Sequence, residues 1–419
     1  MRTFAIVCMV LLQRLQAQTP VDRAVEDVTA VIVHDVFSAP AAARLYAYTC
    51  LAGQEAMRLC GQTDTVLCES ITAMPCVAIP DNLIIREPAI AAAYAMYLTA
   101  RTFLYSEDML MERCRTAMGN AYAEGSPEYR LGQQVAEAVA GWSKSDGYAY
   151  TRTLPRYSPS GTPGSWEPTP PEYADGLEPY WGTLRRFVTG SNTMHKLPPL
   201  PVFDTAVQQF WYAEAEAVRE RSYSFTEEDR QIVQFWDDNP FTLMQQGHLQ
   251  YGIKKVSPAG HWLNITRAAL DSVSASAQER AYVYALVSMA MADAFMAAWE
   301  AKYAYSVLRP ETYINRYIDD TWRPLIPSPP FPEYPSGHAC VSAAAATILT
   351  YHFGENFNFT DASETTYGLP ARSFSSFQSA AHEAGMSRFL AGIHYRSSIT
   401  VAATYGNRLA NHMIGLIKH

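Results

Sequence analysis

Seven residues in the last third of the chain carry side chains or amides that could together hold a small tetrahedral oxyanion. They fall in KYAYSVLRP, YPSGHA and SRFLAGIHYR and are Lys302, Arg309, Ser336, Gly337, His338, Arg388 and His394. Arginine offers a planar fork of N–H donors and lysine a point charge, so both match phosphate-like oxygens. A histidine within reach of the central atom could then bond to it directly.

The first two cations are spaced for one helix. Lys302 and Arg309 are seven residues apart, so on a continuous α-helix they would differ by only about 20° and project from one face. Pro310 follows directly, and the residue before a proline resists the α conformation. We therefore expect Arg309 to lie at the end of that helix.

The later motifs predict a helix start and a helix break. Ser336 suits an N-cap at the start of the long apolar helix that follows, and the free amides there, including that of Gly337, attract anions. Arg388 and His394 are six residues apart, which would place them on different faces of an unbroken helix. We therefore expect a break near Gly392.

Each of these pieces is weak evidence when it is taken alone. A lone Ser-Gly-His is usually a turn, and a Lys/Arg pair at this spacing usually lies on a solvated helix face. Their joint occurrence in this order favours one shared site over those interpretations.

In this order, the motifs K-x6-R-P, P-S-G-H and S-R-x5-H resemble the signature of the type-2 phosphatidic-acid phosphatase superfamily. That superfamily also contains bacterial acid phosphatases and the vanadium-dependent haloperoxidases. The signature covers residues 302–394, and a weaker likeness at 235–267 and in the Pro-rich middle looks like secreted bacterial vanadium haloperoxidase-like proteins. The resemblance implies a helical-bundle fold of the acid phosphatase/vanadium haloperoxidase type.

The resemblance also implies a role for each of the seven residues. The oxygens of bound vanadate or phosphate would be neutralised by three cations: Lys302, Arg309 and Arg388. Ser336 and the amide of Gly337 would donate hydrogen bonds to the same oxygens, and His338 would act as the acid/base. His394 would be the apical partner, either the ligand to vanadium or the nucleophile that becomes phosphohistidine.

Two supporting positions follow from the same resemblance. An acidic residue upstream is expected to pair with an active-site arginine; Asp238 in FWDDNP is the candidate and Asp237 the alternative. Phe331 lies seven residues before His338, at a position that resembles the halide-selectivity site of the haloperoxidases. Simple aromatic packing of the turn in PPFPEYP is the other interpretation of Phe331, so the sequence assigns no halide.

One residue departs from the family pattern, which continues H-x3-D after the last histidine. Ser398 stands where that aspartate would orient His394. A neutral hydroxyl can fix a tautomer, but it stabilises an imidazolium less than a carboxylate does. The departure weighs more against phosphohistidine chemistry than against metal ligation, which needs the neutral ring, and it leaves open a weakened or inactive enzyme.

These residues support three functional hypotheses. The first is a vanadate-dependent haloperoxidase, in which hydrogen peroxide oxidises a halide at vanadate bound to His394 while His338 takes a proton. The second is a secreted acid phosphatase that hydrolyses phosphomonoesters, with His394 as nucleophile and His338 as acid. The third is a non-catalytic oxyanion-binding relative. Because vanadate and phosphate nearly match in shape and charge, the cage alone does not separate the first two.

The N-terminus is typical of a secretory signal peptide over residues 1–17, with Arg2, the apolar run FAIVCMVLL, and Ala17 before Gln18. A buried first helix is the alternative. The remaining chain would carry 41 acidic and 30 basic residues, a net charge of −11, which argues against binding to nucleic acid or an anionic membrane. We expect a secreted or periplasmic protein that acts on small molecules; its oligomeric state stays unknown.

Four cysteines lie within 27 residues: Cys50, Cys60, Cys68 and Cys76. In an oxidising compartment they could form two disulfides, with three possible pairings. A zinc site is disfavoured because no C-x2-C pair or nearby histidine completes it.

Helical periodicity prevails along the chain. Apolar residues recur at three-to-four spacing in segments such as VDRAVEDVTAVIVHDVF and EPAIAAAYAMYLTARTFLY, and convincing alternating strands are absent. We therefore predict an all-α protein built on bundles. The longest apolar stretch, AYVYALVSMAMADAFMAAW, is interrupted by Asp293, so we expect a buried core helix and no membrane span.

Residues 154–201 differ from the rest because they are rich in proline, which fixes φ and removes a hydrogen-bond donor. They predict an extended wrap, either a structural strap or a wall of the substrate entrance. The predicted organisation is a signal at 1–17, an N-terminal helical region at 18–224 that includes this wrap, and a C-terminal helical region at 225–419 that carries the oxyanion site.

Overall fold

The computed structural model describes residues 18–417 except 63–66, 79–82, 189, 191–196, 199, 208, 241 and 247–248. The predicted signal segment, residues 1–17, lies outside these residues. Within them the chain forms fourteen α-helices: α1 Pro20–His34, α2 Ala39–Leu59, α3 Pro88–Arg101, α4 Glu107–Met118, α5 Pro127–Ser143, α6 Tyr148–Thr151, α7 Phe210–Tyr223, α8 Glu227–Phe235, α9 Pro258–Ser272, α10 Ala277–Tyr305, α11 Pro310–Tyr317, α12 Gly337–Phe353, α13 Phe377–Leu390 and α14 Arg396–Ile417.

The predicted all-α class is confirmed, with two small additions. Strands β1 (Thr242–Gln246) and β2 (Leu249–Ile253) form one antiparallel pair, and β3 (Phe359–Asp361) and β4 (Arg372–Phe374) form another. The second pair is three residues long on each side, with Thr360 opposite Ser373. Strands this short carry too little alternation to be recognised in a sequence.

Local sequence sets where many helices begin. Proline occupies the first position of five of the described helices, where its missing N–H has no helical partner to lose: Pro20, Pro88, Pro127, Pro258 and Pro310. Other starts use hydroxyl caps. Thr226 forms a capping box with Asp229 at α8, and Ser276 accepts a hydrogen bond from the Glu279 amide at α10.

Helix α10 is the centre of the molecule. Its 29 residues are apolar on all sides, and the helix is correspondingly buried, packing against α2 and α12. Asp293, the one acid in its apolar stretch, accepts hydrogen bonds from the backbone amides of Phe187 and Val188 at 2.7 and 3.0 Å. Among the described helices, α10 alone is long and apolar enough to cross a membrane, and 94% of its apolar window is buried inside the protein.

The core is continuous across the two predicted regions. One large cluster of buried apolar side chains runs from Val21 in α1 to Ile414 in α14. Helix α12 lies against α10, α13 and α14. The helices that carry the oxyanion residues are therefore fixed on several sides by the main core.

Backbone hydrogen bonds join the Pro-rich segment to residues 306–308 and 330, which flank the predicted site residues. The Trp166 amide donates to the Ser306 carbonyl at 2.6 Å, and the Leu308 amide donates to the Gly164 carbonyl at 3.0 Å. Further along, the Leu177 amide donates to the Pro330 carbonyl at 2.8 Å. The extended wrap therefore braces the segments on either side of Arg309 and Phe331.

The disulfide expectation was wrong in part. Cys68 and Cys76 are bonded, but Cys50 and Cys60 remain unpaired in the described part of the chain. Cys50 lies inside α2 and Cys60 follows its last residue. Ten residues along one helix separate their Cα atoms by about 15 Å, which is too far for a disulfide.

Candidate active site

Lys302 and Arg309 are both fully buried, but they do not share a helix. Helix α10 ends at Tyr305, Ser306 adopts a left-handed conformation with φ of 48°, and Arg309 is the N-cap of α11. The prediction that one helix face presents both cations was therefore wrong, because the chain turns between them before it reaches Pro310. They nevertheless converge on one ring: Lys302 Nζ and Arg309 Cζ each lie 4.9 Å from the centroid of Phe331.

The Ser-Gly-His turn opens α12 as predicted. Ser336 is the N-cap, and its Oγ accepts a hydrogen bond from the Ala339 amide at 3.4 Å. Gly337 is needed for close packing, because a Cβ there would lie 3.0 Å from the Trp299 ring and 3.7 Å from Lys302 Cε. Lys302 therefore lies close to the start of this helix.

The predicted break before His394 is confirmed. Helix α13 ends at Leu390, and Gly392 has a φ of +82°, a conformation that favours glycine. The Ile393 amide donates back to the Arg388 carbonyl at 3.1 Å. This turn places Arg388 and His394 in the wall of the same cavity.

That cavity has a volume of about 350 Å³ and is lined by four of the seven predicted residues: Gly337, His338, Arg388 and His394. The other three lie directly behind its wall. Arg309 Nη1 is 3.2 Å from His394 Nε2, Lys302 lies beneath Gly337, and Ser336 is the cap of the same turn. The structure thus brings all seven residues to one place.

The rest of the cavity wall is largely apolar and combines several parts of the chain. The Pro-rich wrap supplies Thr169, Glu172, Ala174 and Leu177. Phe331 also lines it, and its ring packs against Trp299 with centroids 4.8 Å apart. The wrap is therefore a structural strap that also forms part of the cavity wall, and Phe331 is at once a packing residue and a pocket residue.

The electrostatics of the site favour an anion. Burial lowers the pKa of Lys302 well below its usual range, and the neighbouring Arg309 adds to the effect. Burial likewise lowers the pKa of Arg309 to about 10 and lowers that of Arg388. Nearby carboxylates only partly offset the effect of burial on these three cations, so a bound oxyanion would stabilise them further. The donor set, with a hydroxyl, helix-start amides and an imidazole, fits a tetrahedral one.

His394 is held by a carboxylate that the sequence analysis did not single out. Its Nδ1 lies 2.6 Å from Glu333 Oε1, and the same oxygen accepts a hydrogen bond from the Tyr395 amide at 3.0 Å. Burial raises the pKa of Glu333 to about 7. Burial and the nearby Arg309 hold the pKa of His394 well below its usual range, so the ring is neutral. The one feature of the sequence that could have indicated this role is that Glu333 is a lone acid in the apolar run PPFPEYP.

Ser398 makes no hydrogen bond to His394. Its side chain is buried with 1% exposure, and its Oγ has no aligned hydrogen-bond partner in the described residues. It lies close enough to Glu333 to offset a small part of the rise that burial causes in the Glu333 pKa. Ser398 therefore faces the Glu333 carboxylate and does not take over its hydrogen bond with His394.

In the described residues Asp238 forms no ion pair with an arginine and instead contacts two histidines, although its charge and that of Asp237 both oppose the lowering of the Arg388 pKa. Its Oδ1 lies 2.7 Å from His261 Nδ1, and its Oδ2 lies 3.2 Å from His338 Nε2, within ion-pair distance but without the alignment of a hydrogen bond. Arg388 instead donates to the Trp236 carbonyl at 2.5 Å. The alternative, Asp237, forms an ion pair with Lys255 at 3.5 Å.

The two histidines beside Asp238 differ in charge. Burial lowers the pKa of His338, which keeps its ring neutral at the cavity wall. Burial would also lower the pKa of His261, but Asp238 and Asp361 raise it well above its usual range. Burial would raise the pKa of Asp238, yet His261 and His338 together lower it. Asp238 is thus an ionised carboxylate beside a neutral His338.

Comparisons with known proteins agree with this geometry. Residues 282–419, which contain all seven site residues, match the family model of the VCPO second helical-bundle domain. The chain is similar to a solved structure described as the first bacterial vanadium-dependent iodoperoxidase, with 35% sequence identity and a TM-score of 0.87, covering 95% of this chain and 96% of that one. No match is found among curated proteins.

Two further solved structures share the fold. They are the apo and holo forms of a bacterial vanadium-dependent chloroperoxidase, each with 15% sequence identity, with TM-scores of 0.67 and 0.65. The matches cover 91% and 96% of this chain and 93% of each of those chains. At this identity the likeness concerns the fold alone.

Proposed function

Because this chain belongs to the vanadium-dependent haloperoxidase family, we propose that its seven converging site residues hold vanadate, at which hydrogen peroxide oxidises a halide. The observation that carries the proposal is the convergence of three buried cations on one cavity beside a neutral His394. Bound vanadate supplies a Lewis-acidic centre that activates peroxide without itself changing oxidation state. The remaining chemistry belongs to the side chains.

The cations and the helix start bind the anion. Lys302, Arg309 and Arg388 would neutralise its oxygens, and the Ser336 hydroxyl and Gly337 amide would donate hydrogen bonds to them. The carboxylate of Glu333 accepts a hydrogen bond from Nδ1–H of His394, so the Nε2 lone pair is the one that would hold vanadium. Arg309 lies 3.2 Å from that nitrogen and would donate to an oxygen of the bound oxyanion.

His338 moves the proton. Its Nε2 is on the side of Asp238, so Nδ1 is the ring nitrogen that serves the cavity. A neutral imidazole can accept a proton from hydrogen peroxide, and the ionised Asp238 stabilises the imidazolium that results. The apolar wall around Phe331 lowers the local dielectric constant, which strengthens each of these electrostatic interactions.

We propose iodide as the first halide to test, because the 35% identical solved structure is described as an iodoperoxidase.

We also propose that residues 1–17 are a signal peptide and that the protein is secreted or periplasmic. The Cys68–Cys76 disulfide supports an oxidising compartment, and detection of the N-terminus at Gln18 in exported protein would test it.

One observation favours a second function in the same cage. Glu333 supplies the carboxylate partner for His394 that Ser398 does not, so a phosphohistidine could be supported. The decisive experiment compares purified protein in two assays: peroxide-dependent iodide oxidation after reconstitution with orthovanadate, and hydrolysis of p-nitrophenyl phosphate by vanadate-free protein. His394→Ala should lose at least about 100-fold in iodide oxidation, whereas His382→Ala, an exposed histidine on α13, should not change it. Phosphate hydrolysis without iodide oxidation would refute the haloperoxidase proposal.

A further inference from the structure

Glu333 joins three parts of the oxyanion site that are distant in sequence. Its carboxylate accepts hydrogen bonds from the His394 ring and the Tyr395 amide. Its backbone carbonyl accepts a hydrogen bond from Lys302 Nζ at 3.0 Å, and its amide donates to the Val307 carbonyl at 2.9 Å. One residue thus fixes the ring of His394 relative to the lysine and to the chain that leads into α11.

The residue four places after His394 does not perform this task. Ser398 is short and neutral, and its Oγ lacks an aligned hydrogen-bond partner among the residues that the structure describes. It is nonetheless buried beside the Glu333 carboxylate. The two positions therefore face one small space, and the carboxylate in it comes from residue 333.

We propose that Glu333 is the positioning residue for His394, in place of the carboxylate that the family pattern has at position 398. The proposal rests on the proposed function and deepens it. A charged acceptor on Nδ1 fixes the tautomer and makes Nε2 a stronger donor toward a bound metal centre. Glu333 acts through His394 and does not touch the anion.

The test uses two anions that depend differently on His394. Orthovanadate bonds to a histidine nitrogen, whereas inorganic phosphate is held by cations and hydrogen-bond donors alone. Glu333→Gln should weaken orthovanadate affinity about 10–100-fold, measured by equilibrium dialysis, and should leave phosphate affinity, measured by calorimetry on apo-protein, unchanged or tighter. Equal loss for both anions would indicate a merely structural role and overturn the proposal.

A second experiment tests whether a carboxylate at position 398 restores the orthovanadate affinity that Glu333→Gln loses. Ser398→Asp alone should weaken orthovanadate binding, because two carboxylates would share one buried space. Glu333→Gln combined with Ser398→Asp should recover affinity to within about threefold of the unmodified protein, since a carboxylate again faces Nδ1. Failure of the double variant to exceed Glu333→Gln would overturn the proposal.

A matched control is available in the same region. Glu311 is also a buried glutamate, but its carboxylate accepts a hydrogen bond from Ser328 and not from His394. Glu311→Gln should keep orthovanadate affinity within about threefold. A failure of the proposed function would appear as absent halide oxidation by unmodified protein, whereas failure of this inference appears only in the relative anion affinities of the variants.

Discussion

The imidazole of His261 lies 2.8 Å from the carboxylate of Asp361, at the far end of a buried series of titratable groups that begins at the neutral His338. Between them stands Asp238, which is 2.7 Å from the other nitrogen of His261. Two carboxylates therefore enclose one ring, and they hold it as an imidazolium although it is fully buried. The imidazolium of His261 keeps Asp238 ionised, and the Asp238 carboxylate in turn lies beside His338.

His261→Gln should destabilise the protein by about 3–5 kcal/mol at pH 6, because it leaves two buried carboxylates without their cation. The raised pKa of His261 means that its contribution to stability is complete below about pH 6.5 and is lost as the pH rises through its folded-state value. The difference between variant and unmodified protein, measured by urea unfolding, should therefore shrink from pH 6 to pH 9. His382→Gln, at an exposed site, is the control; a difference that grows with pH would contradict the assignment of charge.

Asp238→Asn should shift the pH dependence of halide oxidation. Burial lowers the pKa of His338, and Asp238 opposes that shift, so removal of the carboxylate charge should lower the pKa of His338 further. The acidic limb of the rate profile should move to lower pH, and the maximal rate should fall about 10–100-fold. Asp237→Asn, next to it in sequence but paired with Lys255, serves for comparison. An unchanged acidic limb would separate Asp238 from the proton step.

Phe331→Ala should loosen the site and destabilise the protein. The ring covers Lys302 and Arg309 at 4.9 Å each and packs on Trp299, so its loss removes two cation–π contacts and leaves a cavity. Because the ring is only partly buried, we expect a loss of about 1–3 kcal/mol in unfolding free energy, below that of a core phenylalanine, together with weaker halide oxidation as the two cations become more solvated. Phe331→Leu keeps most of the volume and should cost less; equal stability of the alanine variant and unmodified protein would contradict the packing role.

Features encoded locally could be predicted from the sequence. Ser336 caps α12, and Gly392 forms the turn after the end of α13. Both could be predicted because each depends only on a few neighbouring residues and on backbone preferences. The all-α class followed from helical periodicity in the same way. The seven site residues were found together because their order along the chain matches a family signature.

Features that depend on distant packing were not predictable. Glu333 and His394 are 61 residues apart, and Asp361 and His261 are 100 apart, so no spacing rule connects them. The family resemblance predicted an arginine partner for Asp238, whereas the fold places two histidines beside it. The turn at Ser306 likewise required a left-handed residue that the pattern of Lys302 and Arg309 did not signal.

Glu364→Gln should stabilise the protein at alkaline pH. Glu364 is fully buried, and neither of its carboxylate oxygens has a hydrogen-bond partner in the described part of the chain. Burial and the neighbouring Asp238 raise its pKa from 4.5 to about 8.

A carboxyl group whose pKa is raised by folding contributes its full stability below its unfolded-state pKa and loses it as the pH rises toward its folded-state pKa. The unmodified protein should therefore become less stable between about pH 4.5 and pH 8. Glutamine stays neutral, and the variant should gain on the order of 2–4 kcal/mol relative to unmodified protein over that interval, measured by chemical denaturation. The exposed Glu355→Gln should show no such trend, and a pH-independent difference at position 364 would mean that the carboxyl is already ionised in the folded protein.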